Sequence, residues 1–224
     1  MMEGARAARW QAAGVRHELL MRVLPAIRHD MAGPLSVARM GNSVLKRYLV
    51  VQPFDADKSA KRLDQTDEQL AQLLNAVRAL SRWDTDGSER LDAATLLADG
   101  LQMARPILDL HGMVLELPDA ADTTWMPAAW PALQPARALY GVIGALSYLQ
   151  DTAAGPASIR VQAAEGGLLL QATPSGTGGL PEDQRPTPRA LAIDPAALAC
   201  LAQDLRWPMD IQPGAVLLRL PDAG

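Results

Sequence analysis

Two stretches of apolar residues at helical spacing, joined by Gln52-Pro53-Phe54-Asp55-Ala56-Asp57, constrain this chain more than any other feature. Between about Ala13 and Val51, Leu24, Ile27, Met31, Leu35, Ala38, Leu45 and Leu49 recur at intervals of three, four or seven, as one helical stripe requires. Pro25 and Pro34 fall within this stretch; each removes a backbone donor and predicts a local kink. Between about Lys58 and Arg82, Leu63, Thr66, Leu70, Leu73, Val77 and Leu80 form a heptad-like seam, with Asp57 placed to cap the helix start. Two helices joined by a short turn make an αα-hairpin. One hairpin offers too little surface to bury both stripes, so the expectation is a homodimer closing a four-helix bundle. Residues Met1 to about Ala12 are rich in Ala and Arg and are expected to fray.

The pattern changes after the polar linker Asp84-Thr85-Asp86-Gly87-Ser88-Glu89, which divides the chain into domains at 1–83 and 91–224. A helix is expected from about Ala93 to Leu108 and a strand over Met113–Leu117. A buried helix follows over Ala136–Gln150. Ser158–Ala163 and Leu168–Thr173 read as a hairpin turning at Glu165-Gly166-Gly167. Pro195 opens a short helix ending at Leu205, and Met209–Ile211 and Ala215–Leu220 close the chain as strands around Gln212-Pro213-Gly214. The second half is therefore an α/β sandwich and the whole chain α+β. A hydrophobic fraction of 49% with only 4% aromatics builds the core from Leu, Ala, Val and Met.

A net charge of -4 with no basic block argues against nucleic acid as a partner, because phosphate neutralisation needs clustered Lys and Arg. Cys200 is the single cysteine, which excludes an internal disulfide; its apolar neighbours predict a buried thiol. No apolar run is long enough to span a membrane and no secretory leader is visible, so the expected location is the cytoplasm. Three histidines and no clustered carboxylates give no metal-ligand spacing.

Arg28-His29-Asp30-Met31-Ala32-Gly33-Pro34-Leu35 carries the chemistry. At about 100° per residue His29 lies about 200° from Ile27, away from the apolar stripe. A neutral imidazole on the open face of a helix is a competent nucleophile near pH 7. Asp30 is placed to orient one ring nitrogen and leave the other for attack. Pro34 leaves the Asp30 carbonyl without its helical donor. An ordinary surface histidine is the competing reading. His17, beside Arg16 and Glu18, is expected to face solvent, and His111, before Gly112, to cap a helix end.

This run resembles the H-box of two-component histidine kinases, in which the histidine carries a phosphoryl group. Residues 14–82 resemble a dimerisation and histidine-phosphotransfer domain, and 91–221 the ATP-binding domain that follows it. The resemblance is one of order and apolar pattern, from Leu91–Leu97 through Ala104–Ile107 and Met113–Leu117 to Gly214–Pro221. The ATP-binding boxes depart from it. Leu149 stands at about the place of the Mg²⁺-holding asparagine, and leucine offers no oxygen. Pro174 stands near the adenine-recognising aspartate, although Gly176, Gly178 and Gly179 persist. Asp194-Pro195-Ala196-Ala197 replaces the second glycine box with a carboxylate and a proline.

The chain thus resembles dimeric histidine phosphotransferases built like degenerate kinases. That resemblance implies a phosphorelay protein that takes a phosphoryl group on His29 from a response-regulator receiver domain and passes it on. It implies no cofactor of its own, since Mg²⁺ and the phosphorylated aspartate belong to the receiver. Asp30 would orient the imidazole. Arg28, Ala32, Gly33 and Ser36 would meet the receiver, with Arg28 neutralising the phosphoryl group or remaining a plain solvated side chain. Gly33 replaces the Thr or Asn that positions water for receiver-phosphatase chemistry in bifunctional kinases. A pseudokinase scaffold that binds a receiver or a kinase without phosphotransfer is the alternative. An active ATP-dependent kinase would need another pocket in place of all three boxes.

Overall fold

The computed structural model describes residues 2–50, 55–117, 130–175 and 191–219. Within these, five α-helices and a five-stranded sheet form a mixed α+β architecture. The chain divides into two compact units, Leu24–Asp84 and Met1–Val23 with Thr85–Gly224.

The smaller unit is the helical hairpin. Helix α1 spans Met2–Tyr48 and contains both Pro25 and Pro34; its residues from Leu24 onward belong here. Helix α2, Ala56–Ala79, follows and continues into a 3-10 turn, Leu80–Trp83. The cap is Asp55 rather than Asp57: its side chain accepts from the Lys58 N–H at 2.9 Å, and its carbonyl accepts from Ser59 Oγ at 2.9 Å. That N–H, helped by the Lys58 ammonium, holds the Asp55 carboxyl below the usual carboxylate range. The expected turn residues 52–54 lie outside the described residues.

The apolar stripes of this unit are only partly covered. Ala38 is buried, and Leu24, Ile27, Met31 and Leu45 are half-buried. On α2 the half-buried positions are Thr66, Gln69, Leu73, Ala76 and Ala79, while Leu63, Leu70, Leu74 and Val77 remain exposed. The α1 side of the hairpin approaches closely at Gly41, where an added Cβ would stand 3.0 Å from Thr66 Oγ1. The expected seam is therefore split. Thr66 and Leu73 are sheltered within the hairpin, and Leu63, Leu70 and Val77 are left open to solvent.

The larger unit is a sheet with helices packed on it. Strand order is β1-β2-β3-β5-β4, with β1 Val114–Glu116, β2 Ala157–Ala164, β3 Gly167–Pro174, β4 Met209–Gln212 and β5 Ala215–Arg219. β1 pairs parallel to β2, and the other pairings are antiparallel. Gly166, at φ 76°, and Gly214, at φ 73°, supply the left-handed backbone that turns the two hairpins.

Helix α3, Ala93–Leu110, is capped by Asp92, which accepts from both the backbone N–H and the hydroxyl of Thr95 at 2.9 Å. Helix α4, Pro135–Thr152, is the centre of the unit. From Pro135 to Gln150 every residue but Arg137 is buried, as an apolar circumference demands. Its glycines admit the neighbours. An added Cβ at Gly141 would stand 2.8 Å from the Trp207 ring, and one at Gly144 2.5 Å from Leu201 Cδ2. Helix α5, Pro195–Leu205, buries Leu198, Leu201 and Leu205. Trp207 is enclosed, donates to the Arg219 carbonyl at 2.6 Å and meets Trp130 edge-on at 5.8 Å.

The start of the chain belongs to this core. The expectation of frayed residues 1–12 is corrected: the segment from Met2 is helical. Ala12, Leu19 and Val23 are buried. Leu19 Cδ1 lies 3.5 Å from the position of a Gly144 Cβ. Arg22 fixes the contact. Its guanidinium meets Glu18 at 3.0 Å, Asp151 at 2.8 Å and the Leu191 carbonyl at 2.8 Å, with its side chain almost wholly buried. Cys200 is half-buried, not buried, because it lies off the Leu198–Leu201–Leu205 stripe; its thiol approaches the Ala8 carbonyl at 3.8 Å.

Candidate functional site

His29 lies on α1, within the hairpin unit. The helix places it where the sequence requires: its side chain is 88% exposed and that of Asp30 70%. The imidazole Nδ1 stands 3.6 Å from Asp30 Oδ1. That is too long for a hydrogen bond. The expected hydrogen bond by which Asp30 would orient the ring is not made in this structure; the carboxylate lies on the Nδ1 side of the ring.

Residues three, four and seven positions after a helical residue share its face. From His29 these are Ala32, Gly33 and Ser36, all exposed; Arg28, beside His29, is exposed as well. Gly33 has nothing within 4 Å of an added Cβ. The imidazole therefore stands beside a strip of small, exposed side chains. Val37 is exposed and Met31 half-buried. Sequence periodicity was sufficient to find this face; the 3.6 Å separation of His29 and Asp30 is a rotamer property that it could not give.

The other histidines are accounted for. His17 is exposed. His111 is the C-cap of α3, with Nδ1 2.8 Å from the Ile107 carbonyl. Among the described residues no three His, Cys, Asp or Glu side chains gather as a metal site.

In the larger unit, Leu149 and Pro174 line one and the same cavity. Gly176, Gly178 and Gly179 lie outside the described residues. The start of α5 is occupied by its own cap, Asp194, whose carboxylate accepts from the Ala197 N–H at 2.8 Å. A helix N-terminus filled in this way offers an incoming phosphate a negative charge in place of free amides.

No family model matches the chain, and no curated protein matches it. Among solved structures it is similar to a bacterial phosphotransferase at 11% identity, covering 89% of this chain and 93% of that one, with a TM-score of 0.33. It is also similar to the histidine kinase AdeS of Acinetobacter baumannii at 16% identity, covering 87% of this chain and 98% of that one, with a TM-score of 0.34. Both TM-scores are low, so the functional reading rests on this chain's own residues. No helix among the described residues is long and apolar enough to cross a membrane.

Proposed function

We propose that this chain is a histidine phosphotransferase of a cytoplasmic two-component phosphorelay, working as a homodimer without ATP-dependent autophosphorylation. The observation that carries the reading is an imidazole 88% exposed on a helix, with a carboxylate 3.6 Å from one ring nitrogen and small residues along its face.

In the proposed reaction His29 Nε2 attacks the phosphorus of a receiver's aspartyl phosphate. A P–N bond forms as the P–O bond to the aspartate breaks, and the carboxylate leaves with the electron pair. The ring becomes cationic while Nδ1 keeps its proton, and the Asp30 carboxylate beside Nδ1 stabilises that charge. Transfer to a second receiver is the same step in reverse. Ala32, Gly33 and Ser36 provide the surface on which a receiver docks, and Arg28 offers a cation to the phosphoryl oxygens. The open leucines of α2 give the dimer its reason, since a second copy would cover Leu63, Leu70, Leu74 and Val77.

The test is transfer of radiolabel from phosphorylated receiver domains to the wild type and to His29→Ala. The expected result is acid-labile label on the wild type only, with unchanged folding and association in the variant. A wild type that binds a receiver yet takes no label would favour the scaffold reading.

A further inference from the structure

The larger unit holds a cavity of about 280 Å³ that the phosphotransfer reading does not use. It lies at the end of α4, where Leu149 and Thr152 form one wall. Pro156, Ala172 and Pro174 form the second, and Gly214 of the β4–β5 turn the third.

These walls are held together before any ligand arrives. The Ala172 N–H donates to the Gly214 carbonyl at 2.8 Å and the Ser175 N–H to the Pro156 carbonyl at 3.1 Å. Tyr148 ties α4 to the same turn through its hydroxyl, 3.1 Å from the Gln212 carbonyl. A pocket preformed in this way binds without a large ordering cost.

Its described walls are one-sided in chemistry. Among the described residues no Lys, Arg, His, Asp or Glu lines it, and Thr152 and Ser175 carry the hydroxyls there. An ionised group pressed against these walls would find, among the described residues, no opposite charge to replace the hydration it gives up. The Thr152 hydroxyl donates to the Tyr148 carbonyl at 2.7 Å, which commits its proton and leaves its lone pairs as acceptors. The volume lies at the lower edge of known ligand sites, about 300 Å³ and upward, with room for on the order of ten non-hydrogen atoms. Leu149 and Pro174, which stand where kinases would carry a metal ligand and an adenine acceptor, both contribute apolar surface to it.

We propose that this cavity is a binding site for a small uncharged molecule with an apolar ring body and one hydrogen-bond donor, which the Thr152 hydroxyl accepts. The site is independent of His29, so it stands or falls separately from the phosphorelay reading.

Indole has the right size and a single donor, and is the probe. Titration of the full chain with indole, followed by ligand-observed NMR, is expected to give saturable one-to-one binding. Indole-3-acetate, which adds a charge, should bind at least about tenfold more weakly. Ala172→Leu fills the cavity and should reduce indole affinity at least about tenfold. Thr152→Val keeps the volume, removes the acceptor, and should weaken binding about two- to tenfold. If Ala172→Leu does not fold by circular dichroism, Ala153→Leu fills the same space from the end of α4.

Absence of saturable indole binding would overturn the proposal. So would binding unchanged in the filled variant, which would put the probe on the exposed leucines of the hairpin instead. Equal or tighter binding of indole-3-acetate would overturn the uncharged class.

Discussion

The two units of this chain handle apolar surface in opposite ways. In the larger one α4 is enclosed from Pro135 to Gln150 but for Arg137, and even the charged Arg22 is buried with partners. In the hairpin α2 has one buried residue, Ser59, while Leu63, Leu70, Leu74 and Val77 face outward. Among the described residues the larger unit encloses its central helix, whereas the hairpin leaves an apolar face on α2 open. The difference suits the proposed division of labour. A phosphotransfer site must be open to successive partners, and a supporting domain must not change when they come and go.

The strongest challenge to this comparison is the buried ion pair of the larger unit. Asp151→Ala leaves the Arg22 guanidinium buried without its carboxylate, an effect expected to cost about 3–5 kcal/mol in urea unfolding. Arg22→Met with Asp151→Leu should recover most of that loss, because it removes both charges. If the single variant is as stable as the wild type, Arg22 is not the lock between the start of the chain and α4.

On the hairpin side the prediction concerns association. Leu70→Glu places a charge in the proposed dimer seam twice, once from each copy, and should weaken dimerisation by about 100-fold or more in sedimentation equilibrium. Stability of the larger unit should be unchanged. A wild type that is monomeric at high concentration would remove the dimer from the account.

A smaller effect is expected at Gly144, where a methyl group would stand 2.5 Å from Leu201. Gly144→Ala should cost about 1–3 kcal/mol through overpacking, less whatever the gain in helix propensity returns. A variant more stable than the wild type would mean that Leu201 moves aside freely.

The smallest effect is electrostatic. The Thr95 N–H and hydroxyl hold the Asp92 carboxyl below the usual carboxylate range. A carboxyl depressed in the folded state stabilises above its unfolded value, about pH 4, and that contribution fades as pH falls through the folded value. Asp92→Asn keeps a capping oxygen but cannot titrate, so it should flatten the acid limb of stability between about pH 5 and pH 2. An unchanged acid limb would assign that dependence to other carboxylates.

Much of the larger unit was legible because its signals are local. Pro195 at a first turn marked the start of α5, and the expected span Pro195–Leu205 is the observed one. Glu165-Gly166-Gly167 marked the β2–β3 hairpin, and His111-Gly112 the end of α3. What escaped was set by distant contacts. Residues before Ala13 look like a frayed tail because their attachment rests on a few buried side chains and on Arg22, whose partners Asp151 and Leu191 lie well over 100 residues away. Asp55 and Asp57 are equally good caps by type, and only the backbone path into α2 selects Asp55. At the candidate site the exposed face of His29 followed from helical angle alone. The pairing of Leu149 with Pro174 across one cavity did not, since 25 residues and two strands separate them.

The most direct test of the central claim is acid-labile radiolabel transfer from a complete panel of the cell's phosphorylated receiver domains. Label is expected on the wild type and none on a folded, dimeric His29→Ala. Label persisting on His29→Ala would contradict it, and so would a wild type that no receiver labels.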